Sequence, residues 1–105
     1  MPYSVAWFED AANSLAAIRT YLEENASPEV ALLIVKDIYE HAEGLIDFPN
    51  RYQALLFRPN YRRIIVGEYA VVYTVLEDSK RVWILDILHC AMDMAKQLRK
   101  TYELN

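Results

Sequence analysis

The spacing of apolar residues changes period at Asn50, and that change bounds what this chain can fold into. Before it, Ala11, Leu15, Ile18 and Leu22 recur at steps of four, three and four, which is one stripe of an amphipathic helix. Glu9 and Asp10 stand at the positive N-terminal end of that helix. "ENAS" breaks the stripe. Ser27 and Pro28 then read as an N-cap and a first-turn proline, with Glu29 behind them. A second stripe, Ala31, Ile34, Ile38, Ala42 and Leu45, stops at "DFPN", where Pro49 cannot extend a helix. The short link between the stripes predicts an antiparallel helical hairpin.

After Asn50, "YQALLF", "RRIIVG", "YAVVYTVL" and "RVWILDILH" are rich in β-branched and aromatic residues. Gly67–Glu68 and "EDSK" (Glu77–Lys80) supply tight turns between them, so an antiparallel meander of three or four strands is expected. "YSVAWF" at the N-terminus predicts a further short strand. Residues 92–102 read as a short helix capped by Asp93, with Ala95 and Leu98 facing inward. The fold class is therefore α+β: an N-terminal strand, two helices packed on an antiparallel sheet, and a short C-terminal helix. Ile64, Val66, Val71, Tyr73, Ile84, and Leu85 or Ile87, should form the sheet's buried face against Leu15, Ile18, Ile34 and Ile38.

At 105 residues the chain is expected to be one domain, residues 1–105. Its 54% apolar and 25% charged content is that of a globular protein, and its apolar runs are too short to span a membrane. "MPYSVAWFED" lacks a basic start and an apolar core, so no secretory signal is expected. One cysteine excludes an internal disulfide and suits the reducing cytoplasm. The net charge of −4 is uneven. Residues 1–50 hold nine acids and two bases, whereas residues 51–105 hold nine bases and six acids. Two solvated faces are the plain reading, which charge alone favours. The sharper one is an acidic helical layer beside a basic working face, attractive to nucleic acid or an acidic partner.

Few residues offer chemistry. His89 and Cys90 are adjacent at a strand end, so their side chains should point to opposite faces. A nucleophile and its base need hydrogen-bond reach, which makes this dipeptide a poor dyad. Cys90 reads most simply as a small buried apolar residue. His89 reads as a histidine satisfied at the strand end, with acid–base work or a surface contact as alternatives. His41 sits on the polar edge of the second helix. Two histidines and one cysteine have no ligand rhythm, so no metal is expected. Gly44 and Gly67 are the only glycines, too few for a phosphate loop, and no cofactor is expected. The carboxylate pairs Glu23–Glu24 and Glu77–Asp78 read as solvated turns. The most suggestive stretch is "RYQALLFRPNYRR". It sets Arg51, Arg58, Arg62 and Arg63 among Tyr52, Phe57 and Tyr61, with no acid between. Such a cluster can bind phosphates, stack on bases or dock an acidic partner helix. Solubilising charge on an edge strand is the plain alternative. The absence of acids favours a partner.

A Trp-ending first strand, the Ala/Leu/Ile helix, "FPNR", "YRRIIVGEYAVVYTV" and "VWILDILHCAMD" together resemble the RelE/ParE toxins of type II toxin–antitoxin modules. The likeness spans roughly residues 3–99 and includes Pro49–Arg51, Arg63 through Tyr69 and Tyr73, then Leu88, His89 and Asp93. It implies two helices against a curved antiparallel sheet and neutralisation by a cognate antitoxin. It also implies one of two targets. RelE-like members cut messenger RNA on the ribosome; ParE-like members poison DNA gyrase and stabilise plasmids. RelE-like members typically carry an arginine just after the first tyrosine of the "YAVVY" strand, where this chain has Ala70. They also carry a cation after the last strand, where this chain has Cys90, Ala91 and Met92. Asp86 would add repulsion toward RNA if it faced the same side. The resemblance therefore implies a ParE-like toxin acting by contact, with a ribosome-dependent nuclease or a degenerate, non-toxic member as alternatives. Its expected antitoxin- or target-binding residues are Arg51, Arg58, Tyr61, Arg62, Arg63, Tyr69 and His89. His89 is catalytic only in the nuclease alternative.

Overall fold

The computed structural model describes residues 2–98. A strand β1 (Ser4–Trp7) leads into helix α1 (Glu9–Asn25), which turns back as α2 (Pro28–Glu43). The Ser27 hydroxyl accepts the Val30 N–H at 3.1 Å, the N-cap that the sequence signals. Two single 3-10 turns, Gly44–Ile46 and Pro49–Arg51, lead toward strands β2 (Tyr61–Val66), β3 (Tyr69–Leu76) and β4 (Arg81–His89). A short helix α3 (Met94–Gln97) follows, and the Asp93 carboxylate caps it by accepting the Lys96 N–H. The remainder of the helix expected over residues 92–102 lies outside the described residues.

The sheet order is β1-β4-β3-β2. β2, β3 and β4 form the antiparallel meander, but β1 pairs in parallel with β4, Ser4 opposite Arg81 through Trp7 opposite Ile84. The sheet is thus mixed and open rather than wholly antiparallel. The two-residue Gly67–Glu68 turn joins β2 to β3, and Gly67 takes φ +61°, where a side chain is strained.

α1 packs on β4, and α2 packs on β2 and β3. Ala11, Ile38, Ala42 and Leu45 bury against Ile64, Val66, Val71, Tyr73, Ile84 and Ile87, with Leu15, Ile18 and Ile34 partly buried at the margin. Ile87, not Leu85, therefore supplies the helix side. Leu85 belongs to a second core on the other face, with Leu55, Tyr61, Ala70, Val72, Leu88, Met94 and Leu98. β3 is buried on both faces, which its nearly unbroken apolar run reflects. A register shift between Val72 and Tyr73 lets β4 run one residue longer than β3 there. That bulge turns Asp86 toward α1, where it accepts the Ser14 hydroxyl at 2.6 Å.

Three local expectations are corrected. "YQALLF" is not a strand: Ala54 makes one bridge to Arg62, Leu55 turns into the second core, and Leu56 and Phe57 stay exposed ahead of Pro59. Cys90 is exposed because β4 ends at His89 and the chain turns there, with the Met92 N–H on the His89 carbonyl at 2.9 Å. In the last helix Met94, rather than Ala95, accompanies Leu98 inward. Among the described residues no helix is long and apolar enough to cross a membrane.

Candidate functional site

The arginine–aromatic stretch is held in place by buried hydroxyls. The Tyr73 hydroxyl, 0% exposed on the helix side, donates to the Pro49 carbonyl at 2.6 Å and fixes the turn carrying Arg51. Burial pushes its ionisation well above the ordinary phenol range, so it remains a donor. On the other face, Thr74 donates to the Asn60 carbonyl at 2.7 Å and fixes the loop before β2. Leu55 N–H to the Tyr61 carbonyl and Arg63 N–H to the Gln53 carbonyl lay residues 53–55 along the β2 edge.

The sheet splits the arginines. Arg51 lies over the Tyr52 ring at 4.9 Å, and Arg62 donates to the Tyr52 carbonyl at 2.5 Å. Both border the helix side. Arg58 covers the Tyr61 ring at 5.2 Å and donates to its hydroxyl at 3.2 Å. Tyr61 belongs to the second core, as does Met94, whose sulfur sits 3.8 Å from the Arg63 guanidinium. Arg63 lines a cleft of about 430 Å³ with Leu55, Phe57, Cys90, Met92 and Asp93. A thioether is a weak acceptor for five guanidinium donors. That cleft sets the Arg63 guanidinium and the Asp93 carboxylate among the apolar side chains of Leu55, Phe57 and Met92.

Tyr69 and His89 lie elsewhere. They are opposite each other in register, with rings edge to face at 5.4 Å, on the helix side of the sheet end. The His89 Nδ1 accepts the Ala91 N–H at 3.0 Å, which fixes the orientation of the ring at the strand end. A cleft of about 510 Å³ joins them to Ala17, Ile18, Tyr21, Leu22 and Glu68. Burial first, then the Glu68 and Tyr21 oxygens, raises the Tyr69 hydroxyl above its ordinary range.

His89 and Arg63 therefore face opposite sides of the sheet. Arg62 shares the side of His89, but its row (Arg62–Tyr73–Ile84) is four β3 residues from the row Val66–Tyr69–His89. At ~3.3 Å per residue that is about 13 Å, too far to serve one phosphate together. Ala70 is 0% exposed within the second core, and Met92 lies half-exposed at the mouth of the Arg63 cleft. His41 is exposed on α2, its Nδ1 within 2.8 Å of the Asp37 carbonyl. Among the described residues no three His, Cys, Asp or Glu side chains gather where a metal could be held.

Phe48 was not singled out by sequence. It is 75% exposed and adopts φ 50°, a conformation costly for an aromatic residue. Its only local signal is the Phe48–Pro49 dipeptide ahead of Arg51.

Comparison with known proteins places this geometry in a family. No curated protein sequence matches the chain. The chromosomal ParDE toxin–antitoxin system of P. aeruginosa matches at 27% identity and TM-score 0.74, over 83% of this chain and 95% of that one. The RelBE2 toxin–antitoxin complex of Mycobacterium tuberculosis matches at 20% identity and TM-score 0.64, over 85% of this chain and 99% of that one. A mutant of E. coli toxin RelE in the free state matches at 14% identity and TM-score 0.66, over 92% and 93%. The last two share the fold. The family model for the ParE toxin of the type II toxin–antitoxin system parDE matches residues 5–94. The chain therefore belongs to the ParE toxin family and is the toxin of a type II toxin–antitoxin system.

Proposed function

We propose that this toxin acts by protein contact, poisoning DNA gyrase in the cytoplasm, and that a cognate antitoxin neutralises it through the arginine–aromatic surface. One observation carries the first half. Ala70 is sealed inside the second core and Met92 is uncharged, at the two positions where the resemblance puts nuclease cations. A scissile phosphate gathers charge in its transition state, and each missing donor costs on the order of 3 kcal/mol. The separation of His89 from Arg62 and Arg63 argues the same way. A contact poison needs none of these groups.

The second half is supported by the Arg63 cleft and by the solved relatives, which are toxin–antitoxin systems. An acidic segment that orders on binding would meet the Arg63 guanidinium beside the apolar side chains of Leu55 and Phe57.

A translation extract tests the nuclease alternative. Purified toxin, folded and free of antitoxin, should leave ribosome-bound messenger RNA intact. Cleavage that disappears in His89→Ala would overturn the contact reading. Inactivity both there and toward gyrase would indicate the degenerate, non-toxic member.

A further inference from the structure

The cleft at the sheet end holds groups that the arginine surface does not use. Its walls are Ala17, Ile18 and Leu22, and its polar groups are Tyr21, Glu68, Tyr69 and His89. Among the described residues no lysine or arginine lines it, whereas one carboxylate and three π rings do. Tyr21 is 60% exposed, so its ring is available to a visitor. α1 forms one wall from Ala17 to Leu22, and its last turn, which follows, carries no basic residue. The negative end of that helix thus adds to the field of Glu68. The Ala91 N–H on its Nδ1 at 3.0 Å fixes the His89 ring in place beside Tyr69. The Cys90 N–H on the Glu68 carbonyl at 2.8 Å ties the β2–β3 turn to the end of β4, which fixes the mouth.

We propose that this cleft receives an arginine side chain presented by a protein partner, stacked on Tyr21 and paired with Glu68. A planar guanidinium suits it better than an ammonium because it stacks on aromatic faces while donating to a carboxylate. The partner's chemistry is the inverse of that suited to the Arg63 cleft. The two clefts open on opposite faces of the sheet, so an acidic segment at Arg63 leaves the Tyr69–His89 cleft accessible. The proposal rests on the reading that the toxin works by contact.

The test is a backbone amide NMR titration of the full chain with Nα-acetyl-arginine amide, with the citrulline amide as the neutral isostere. Saturable shifts are expected at residues 17–22, 68–69 and 89–91 with the arginine probe, and none with citrulline. Glu68→Gln, a change on an exposed turn, should weaken binding by about fivefold, the upper range for an exposed ion pair. Tyr21→Ala should weaken it further. Equal shifts with both probes, shifts centred on Arg63, or no shifts would each overturn the proposal. The titration contains neither gyrase nor antitoxin, so its failure and the failure of the gyrase reading are separate results.

Discussion

Asp86 shows how one residue couples fold and pH. Its carboxylate is partly buried at the β4 bulge and accepts the Ser14 hydroxyl at 2.6 Å and the Ile87 N–H at 2.8 Å. Burial outweighs those two bonds and raises its folded ionisation above the usual carboxylate value. The folded state therefore binds the proton more tightly than the unfolded chain. The stabilisation is complete below the unfolded value and is lost as pH rises through the raised one. Asp86→Asn keeps an Oδ1 acceptor for both donors and carries no charge. Its melting temperature should exceed wild type at pH 7, and the difference should vanish near pH 3; a variant less stable at pH 7 would contradict this. Phe48 is the second residue-scale case. With φ 50° and 75% exposure it gains little from packing, so Phe48→Asn should stabilise the fold by about 1 kcal/mol. A loss measured by urea unfolding would show that the ring packs in solution.

At the scale of elements, both helices were legible because each writes its buried stripe at 3.6-residue spacing, and Ser27–Pro28 marks the start of α2. Ser27→Ala should cost ~1 kcal/mol. Ile38→Ala, at a position with 0% exposure, should cost about 2–5 kcal/mol. Equal, small losses in both variants would show the α2 stripe to be misplaced. The meander β2–β3–β4 was legible too, but the partner of β1 was not. Alternation reports which residues are buried and says nothing of a parallel neighbour some 75 residues away, which is how the pairing of β1 with β4 escaped. Nor does local pattern reveal the bulge that swings Asp86 toward α1. "YQALLF" misled because Leu55 is buried for a different reason, as the lid of the second core. Cys90 misled because its burial was inferred from a strand that ends one residue earlier.

For the whole molecule, the legible part of the candidate site was its composition, and the illegible part was its division. Arg51, Arg58, Arg62 and Arg63 look like one patch along the chain, yet the sheet separates them, and Tyr69 with His89 sits apart from both sets. Antitoxin binding should follow the charge that the arginines share. Replacing Arg58, Arg62 and Arg63 with alanine should weaken affinity and flatten its salt dependence. Unchanged affinity with an unchanged salt slope would remove those residues from the interface. The account's central claim, toxicity by contact without chemistry at a phosphate, meets its most direct test in a DNA supercoiling assay with purified gyrase. Wild-type toxin should inhibit supercoiling or trap gyrase on cleaved DNA, and His89→Ala should show a graded loss rather than abolition. Full supercoiling at saturating, folded, antitoxin-free toxin would contradict it.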